Sequence, residues 1–343
     1  MRSRAEESSA TWLSSKQVAV LAAQNASAAK LVQADSVSRS RSTKLRGQES
    51  ESKIIGPIQS TISYRTRQTA TANALKLHYA IAACLQAQRL LDATAEQLDR
   101  QQQAQNQLVD RGVPILDPIL IERLMKSRED KELENQSKLA TLRRQLALLI
   151  GWENACNHSP IESTTLSPTD ADVCDHIQAA LSCRCDVVIL QKLGNSIDEE
   201  TLDIWDNVGA MLSGLPPVAR KVFFVSKFLR WGCKDKDVQS AIEARREWLA
   251  ALIEERSKQI VSEVEIAFEK KKSAALRWVK TGEHVSLWNR RIAQLEEVGR
   301  VRGNLAEQFE AKLNLLQAEG VQIERWLDWH HAEIDLGLAI GCD

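Results

Sequence analysis

Helix-breaking residues are scarce in this chain: 14 Gly and 7 Pro in 343 residues, with aromatics at only 5%. Sheet proteins need frequent turns and lean on aromatic and β-branched side chains. A mainly α fold is therefore expected from the Ala, Leu, Glu, Gln, Lys and Arg that dominate. Long apolar runs are also missing, and no stretch reaches the roughly 18 consecutive apolar residues of a transmembrane helix. The opening MRSRAEESSATW carries two arginines and no apolar segment, so it reads as no export signal. Neither charge is in excess: 45 Lys and Arg face 46 Asp and Glu, mixed along the chain, which gives no footprint for nucleic acid or anionic lipid. The 7 cysteines are odd in number and lack framework spacing, so reduced thiols are expected. Phosphate-binding glycine loops, Gly-x-Ser-x-Gly elbows and His-Glu-x-x-His pairs are absent, and 6 scattered histidines suggest no hidden machinery. No enzyme, no catalytic residue, no cofactor and no metal are expected.

What the chain does contain is a repeat. RRQLALLIG closes on Gly151 and EIDLGLAIG closes on Gly341, and each phrase follows an Arg-Gly pair, Arg111-Gly112 and Arg302-Gly303, at nearly the same distance. Before each pair runs a long helical pattern. In the first half Leu77, Cys84, Leu91 and Leu98 recur every seven residues with Ile81 and Ala95 at the complementary position, interrupted by Gln88 and Gln102. In the second half Trp278, Val285 and Ile292 repeat that seam beside Trp288 and Leu295. One helix is expected from about residue 65 to 110, beginning near Thr61 after a polar connection that holds Gly56-Pro57, and another from about 238 to 301. Each turns at its glycine and returns, the first return helix starting after Asp117-Pro118 and the second carrying Leu305, Phe309, Leu316, Ile323, Leu327 and Ile334. Each half opens with a shorter helix, VAVLAAQNASAAKL and DHIQAALSCRCDVVIL. The fold class is all-α, a tandem repeat of long antiparallel hairpins: 1–151 the first repeat, 152–172 a linker rich in Ser, Thr and Pro, and 173–343 the second.

Local clusters read as structure more readily than as chemistry. Cys174, His176, Cys183 and Cys185 match no common zinc spacing, and positions two apart on a helix point to different sides. His330-His331 with Asp328 and Glu333 has carboxylate–histidine spacing, but the first return helix has no histidine to complete a two-metal set, so a solvated helix face is expected. Trp278 and Trp288 at helical spacing on an apolar seam read as core.

The order of these features resembles the TolC-like outer-membrane efflux proteins, tandem repeats of long helical hairpins. The corresponding residues are the Ala- and Val-rich outward helix of the second half, the tip at Gly303, Ala311 with Leu315-Leu316-Gln317-Ala318, and the closing Leu-Gly phrases. In the first half they are Tyr79, Gly112 and LALLIG. Arg184-Cys185-Asp186-Val187 stands where that family commonly reads Arg-Pro-Asp-Leu, and Asn25-Ala26 where it reads Asn-Pro. The resemblance implies a homo-oligomer, a trimer, lining an outer-membrane and periplasmic conduit that passes substrates delivered by an inner-membrane pump through a periplasmic adaptor. It implies docking at the hairpin tips, Arg111, Gly112, Arg302 and Gly303. Where TolC-like repeats insert a β-hairpin this chain has only SKIIGPIQSTISYRT (52–66) and KVFFVSKFLRW (221–231). A transmembrane strand needs about 9–11 alternating residues, so little or no barrel is expected. In the second stretch Phe223, Phe224, Phe228 and Trp231 mark either a membrane-interface contact or packing over the bundle ends, with packing favoured. The alternative function is a helical scaffold or interaction protein that has lost barrel and pore, and with no export signal in this sequence a cytoplasmic location goes with it.

Overall fold

The structure, a computed structural model, describes residues 11–26, 30, 48–109, 118–151, 158–160, 172–198, 236–302 and 305–341. In chain order the elements are β1 (Thr11–Leu13), α1 (Ser15–Asn25), α2 (Gln48–Val109), α3 (Pro118–Ile150), β2 (His158–Pro160), α4 (Val173–Cys183), α5 (Cys185–Asn195), α6 (Lys236–Arg302) and α7 (Leu305–Ile340). Local chemistry explains several boundaries. At α1, the Ser14 amide donates to Gln17 Oε1 at 2.9 Å and the Gln17 amide donates to Ser14 Oγ at 3.4 Å, a reciprocal cap on the helix start. Proline opens α3, where its missing N–H costs nothing. The two repeated phrases end their helices in the same way: Gly151 and Gly341 have φ of 65° and 72°, a left-handed conformation that glycine reaches without a Cβ clash.

The long helix of the first half starts earlier than expected, at Gln48 rather than near Thr61, and holds Pro57 in its interior. An interior proline costs about 3 kcal/mol. Next to it Ile58 is buried in an apolar cluster with Ile189, Leu190, Leu193, Ile242, Leu249 and Leu252, and burying such a side chain stabilises by about 1.5–3 kcal/mol. The Ser60 and Thr61 hydroxyls also donate to the Pro57 carbonyl at 2.8 and 2.9 Å. Tertiary packing thus carries the helix through the breaker. Residues 52–66, one of the two places for a barrel hairpin, are helical.

The chain forms two compact units, and each draws on both halves of the sequence. One comprises Met1–Ala22, Thr71–Ser167 and Phe268–Asp335. In it β1 pairs with β2 in parallel, Thr11 to His158 through Leu13 to Pro160, so part of the linker is tied to the chain start. Leu13, Val18 and Ala22 pack on Ala74 and Ile81 of α2 and on Leu146 and Ile150 of α3. The expected seam is core: Ile81, Cys84 and Leu98 are all buried. Two hairpins are antiparallel by their contacts. Asn135 Nδ2 of α3 donates to the Cys84 carbonyl and to Gln88 Oε1 of α2 at 3.0 and 3.2 Å. Along α6 the partners Lys271, Trp278 and Glu296 meet Glu333, Trp329 and Lys312 of α7, numbers rising on one helix as they fall on the other. The other unit comprises Ala23–Ala70, Pro168–Ala267 and Leu336–Asp343, with its core around Ile58 and α5.

Among the described residues the only strands are β1 and β2, three residues each, and no helix is long and apolar enough to cross a membrane.

Candidate functional site

The most concentrated chemistry lies in the second unit, where α4 stops at Cys183 and α5 restarts at Cys185. The intervening Arg184 is extended, with φ −61° and ψ 122°, so Cys185 takes the first helical position. Arg184 is buried and its guanidinium is shared three ways. Nε and Nη2 donate to Asp186 Oδ1 and Oδ2 at 3.1 and 2.9 Å, and Nη1 donates to Glu263 Oε2 at 2.5 Å and to the Ala339 carbonyl at 3.1 Å. Arg256 completes the circle, donating through Nε to Asp186 Oδ2 and through Nη1 to Glu263 Oε1, both at 2.9 Å. Burial works against the Asp186 charge, but hydrogen bonds and charge from Arg184 and then Arg256 outweigh it and hold its carboxyl below the usual range. Glu263 is depressed by the same balance of burial against Arg184 and Arg256. At Cys185 burial, then the Asp186 charge, push the thiol up, so it is not an activated thiolate.

This ring holds the end of α7. Gln68 Nε2 and the Tyr64 hydroxyl donate to the Gly341 carbonyl at 3.0 and 3.4 Å, and a Cβ on Gly341 would lie 2.8 Å from Arg184 Cγ. A cavity of about 90 Å³ opens here, lined by Arg65, Gln68, Thr69, Cys185, Leu338 and Gly341 with Arg184 and Asp186 of the ring. Arg65 stands 3.9 Å from Asp186 and is half exposed. Arg184 and Asp186 were marked by the resemblance, whereas Arg256 and Glu263 were missed. The available signal was an Arg and a Glu seven apart on one face of α6.

In the first unit the contacts run from α3 to α2, from α2 to α7, and from α7 to α6. Between α2 and α7 a two-point clamp forms on Lys76: its ammonium meets Asp335 at 2.5 Å, and its carbonyl lies 3.2 Å from His331 Nε2. Burial lowers the His331 pKa. The solvated face expected at His330-His331 is corrected here. His330 is buried, stacked on Tyr79 at 3.8 Å between centroids, with Trp326 and Trp329 each at 4.5 Å, because the histidine pair sits on the α7 face turned toward α2. Trp278 stacks on Trp329, and Trp288 lies edge-on to His284. Among the described residues no three His, Cys, Asp or Glu side chains are placed to hold a metal. The outer helices α3 and α6 of this row expose apolar side chains to solvent: Ile119, Leu120, Leu133 and Leu148 on α3, and Leu276, Val279 and Leu287 on α6.

The tip and membrane-interface residues are not brought together by what is described. Arg302 is the last residue of α6, while Arg111, Gly112, Gly303, Phe223, Phe224, Phe228 and Trp231 lie outside the described residues.

Two long antiparallel hairpins, each closed by a left-handed glycine, define a protein of the helical-hairpin class with a TolC-like fold. No protein-family model and no curated protein matches the sequence. Solved structures do match in fold. A membrane protein from Pseudomonas aeruginosa superposes with a TM-score of 0.60 at 14% identity, covering 86% of this chain and 74% of that one. The CmeC outer membrane channel of Campylobacter jejuni gives 0.59 at 13%, covering 86% and 66%. The open state of the MtrE outer membrane channel of Neisseria gonorrhoeae gives 0.54 at 11%, covering 95% and 88%. The fold is therefore that of outer-membrane channels, as the resemblance in the sequence implies.

Proposed function

We propose that this chain is a wall component of a TolC-like efflux conduit in the bacterial outer membrane and periplasm, passive and without chemistry of its own. The observation that carries the reading is the match to outer-membrane channels along nearly the whole chain, up to 95% of it. The exposed apolar residues of α3 and α6 add to it. Leaving such side chains in water is unfavourable by about 25 cal/mol per Å², and a neighbouring copy that sets its α3 against α6 would cover both edges at once. Several copies, a trimer by resemblance, then enclose the passage. A periplasmic adaptor docks at Arg111, Gly112, Arg302 and Gly303, and an inner-membrane pump supplies the substrate.

A second reading has one observation in its favour: residues 52–66, where a TolC-like repeat would insert a barrel hairpin, are helical. This favours a scaffold that keeps the hairpins and has lost the pore. Sedimentation of the purified full chain at micromolar concentration, in buffer and in detergent, separates the two. The conduit requires a discrete closed oligomer in detergent, whereas a stable monomer under both conditions leaves the scaffold.

A further inference from the structure

We propose that the ring of Arg184, Asp186, Arg256 and Glu263 is an acid-released latch: with both carboxylates ionised it clamps the last turn of α7 to the start of α5, and their protonation frees that turn. The geometry is that of a closed circuit, in which each guanidinium touches both carboxylates and each carboxylate both guanidiniums. Only one member reaches out of the circuit to α7, Arg184 through the Ala339 carbonyl at 3.1 Å. Arg184 also fills the space beside Gly341, so its position and that of the last turn cannot change independently.

Among the described residues the charged and titratable groups facing the ring are few. From the junction of α4 and α5 comes Arg184, and from the start of α5 come Asp186 and the Cys185 thiol. From α6 come Arg256 and Glu263, with Gln259 linking Arg256 to Glu255. From α2 come Tyr64 and Arg65. From α7 and Gly341, among the described residues, come backbone carbonyls only. Two cations and two anions balance in the ring, and Arg65 adds a third cation at its rim.

Removing the negative charges leaves three guanidiniums close together, one of them buried, and a buried charge without its partner is strongly unfavourable. Arg184 then leaves for solvent and releases Ala339. The hydrogen bonds from Gln68 and Tyr64 to Gly341 are lesser ties than a charge-assisted contact. Both carboxyls are held below their ordinary values of 4.5 for glutamate and 3.8 for aspartate, so the latch stays closed at neutral and mildly acidic pH and opens in stronger acid. The sign is that of depressed acids: the contribution is full above the unfolded-state values and is lost as pH falls through the folded ones.

Hydrogen exchange of the full chain, corrected for the intrinsic pH dependence of amide exchange, tests this at residues 338–341 against residues 146–150 of the other unit, where Leu146 and Ile150 are packed in its apolar core. Between pH 7 and pH 2.5, protection at 338–341 should fall by about tenfold or more, the loss of a charge-assisted bond, while 146–150 stay protected. Glu263→Gln should lower protection at 338–341 already at pH 7. Unchanged protection at 338–341 across that range, simultaneous loss in both segments, or a Glu263→Gln chain indistinguishable from the parent at pH 7 would each overturn the latch. None of these outcomes bears on whether the chain forms a conduit.

Discussion

The two glycines that close the repeated phrases share a conformation and differ in everything around it. Gly151 ends α3 exposed to solvent, whereas Gly341 ends α7 buried, with its carbonyl held by Gln68 and Tyr64 and the Arg184 side-chain methylenes in the place a Cβ would take. The same contrast holds at the breaks in the short helices. After α1, Asn25 accepts an exposed hydrogen bond from Lys30 at 3.1 Å, while the break at Arg184 carries a buried four-membered ionic ring. A duplicated pattern thus keeps its stop signals, which are local, and diverges in what the stops are used for, which depends on distant partners.

The largest expected effect is at the ring. Asp186→Ala leaves two guanidiniums facing each other in a buried site and should destabilise the fold by about 3–5 kcal/mol in denaturant titration. Gly341→Ala comes next, at about 2–3 kcal/mol, because a left-handed alanine is strained and its methyl meets Arg184. The matched Gly151→Ala should cost only the conformational strain, about 1 kcal/mol. Equal effects at the two glycines would remove the contrast. The smallest effect is a pH difference between the units. With its pKa lowered by burial, His331 binds protons more weakly folded than unfolded, so its contribution falls as pH drops below its ordinary 6.5. The ring keeps its contribution until stronger acid. Exchange at residues 76 and 331 should therefore respond to a step from pH 7 to pH 5 that leaves 338–341 unmoved.

Helical class, antiparallel hairpins, both glycine stops and the buried seam were legible in the sequence, since each rests on short-range spacing. Gln88, which interrupts the seam, turns out to fix register by accepting from Asn135. The early start of α2 was not legible, because Gly56-Pro57 is a strong local stop overruled only by burial of Ile58 against residues more than a hundred positions away. The burial of His330 was missed for a related reason: the aromatic rings that enclose it come partly from α2, and helical spacing on α7 alone does not reveal them. The ring needed Arg256 and Glu263, two charged residues on a 67-residue helix whose seven-residue spacing is shared by Lys258-Glu265 and Arg290-Glu297, so the spacing alone does not single them out.

The central claim, that the chain builds a conduit wall, is tested most directly by single-channel recording of the purified full chain in a planar bilayer. The account predicts discrete, reproducible conductance steps. An oligomer that binds the bilayer without any conductance would contradict it.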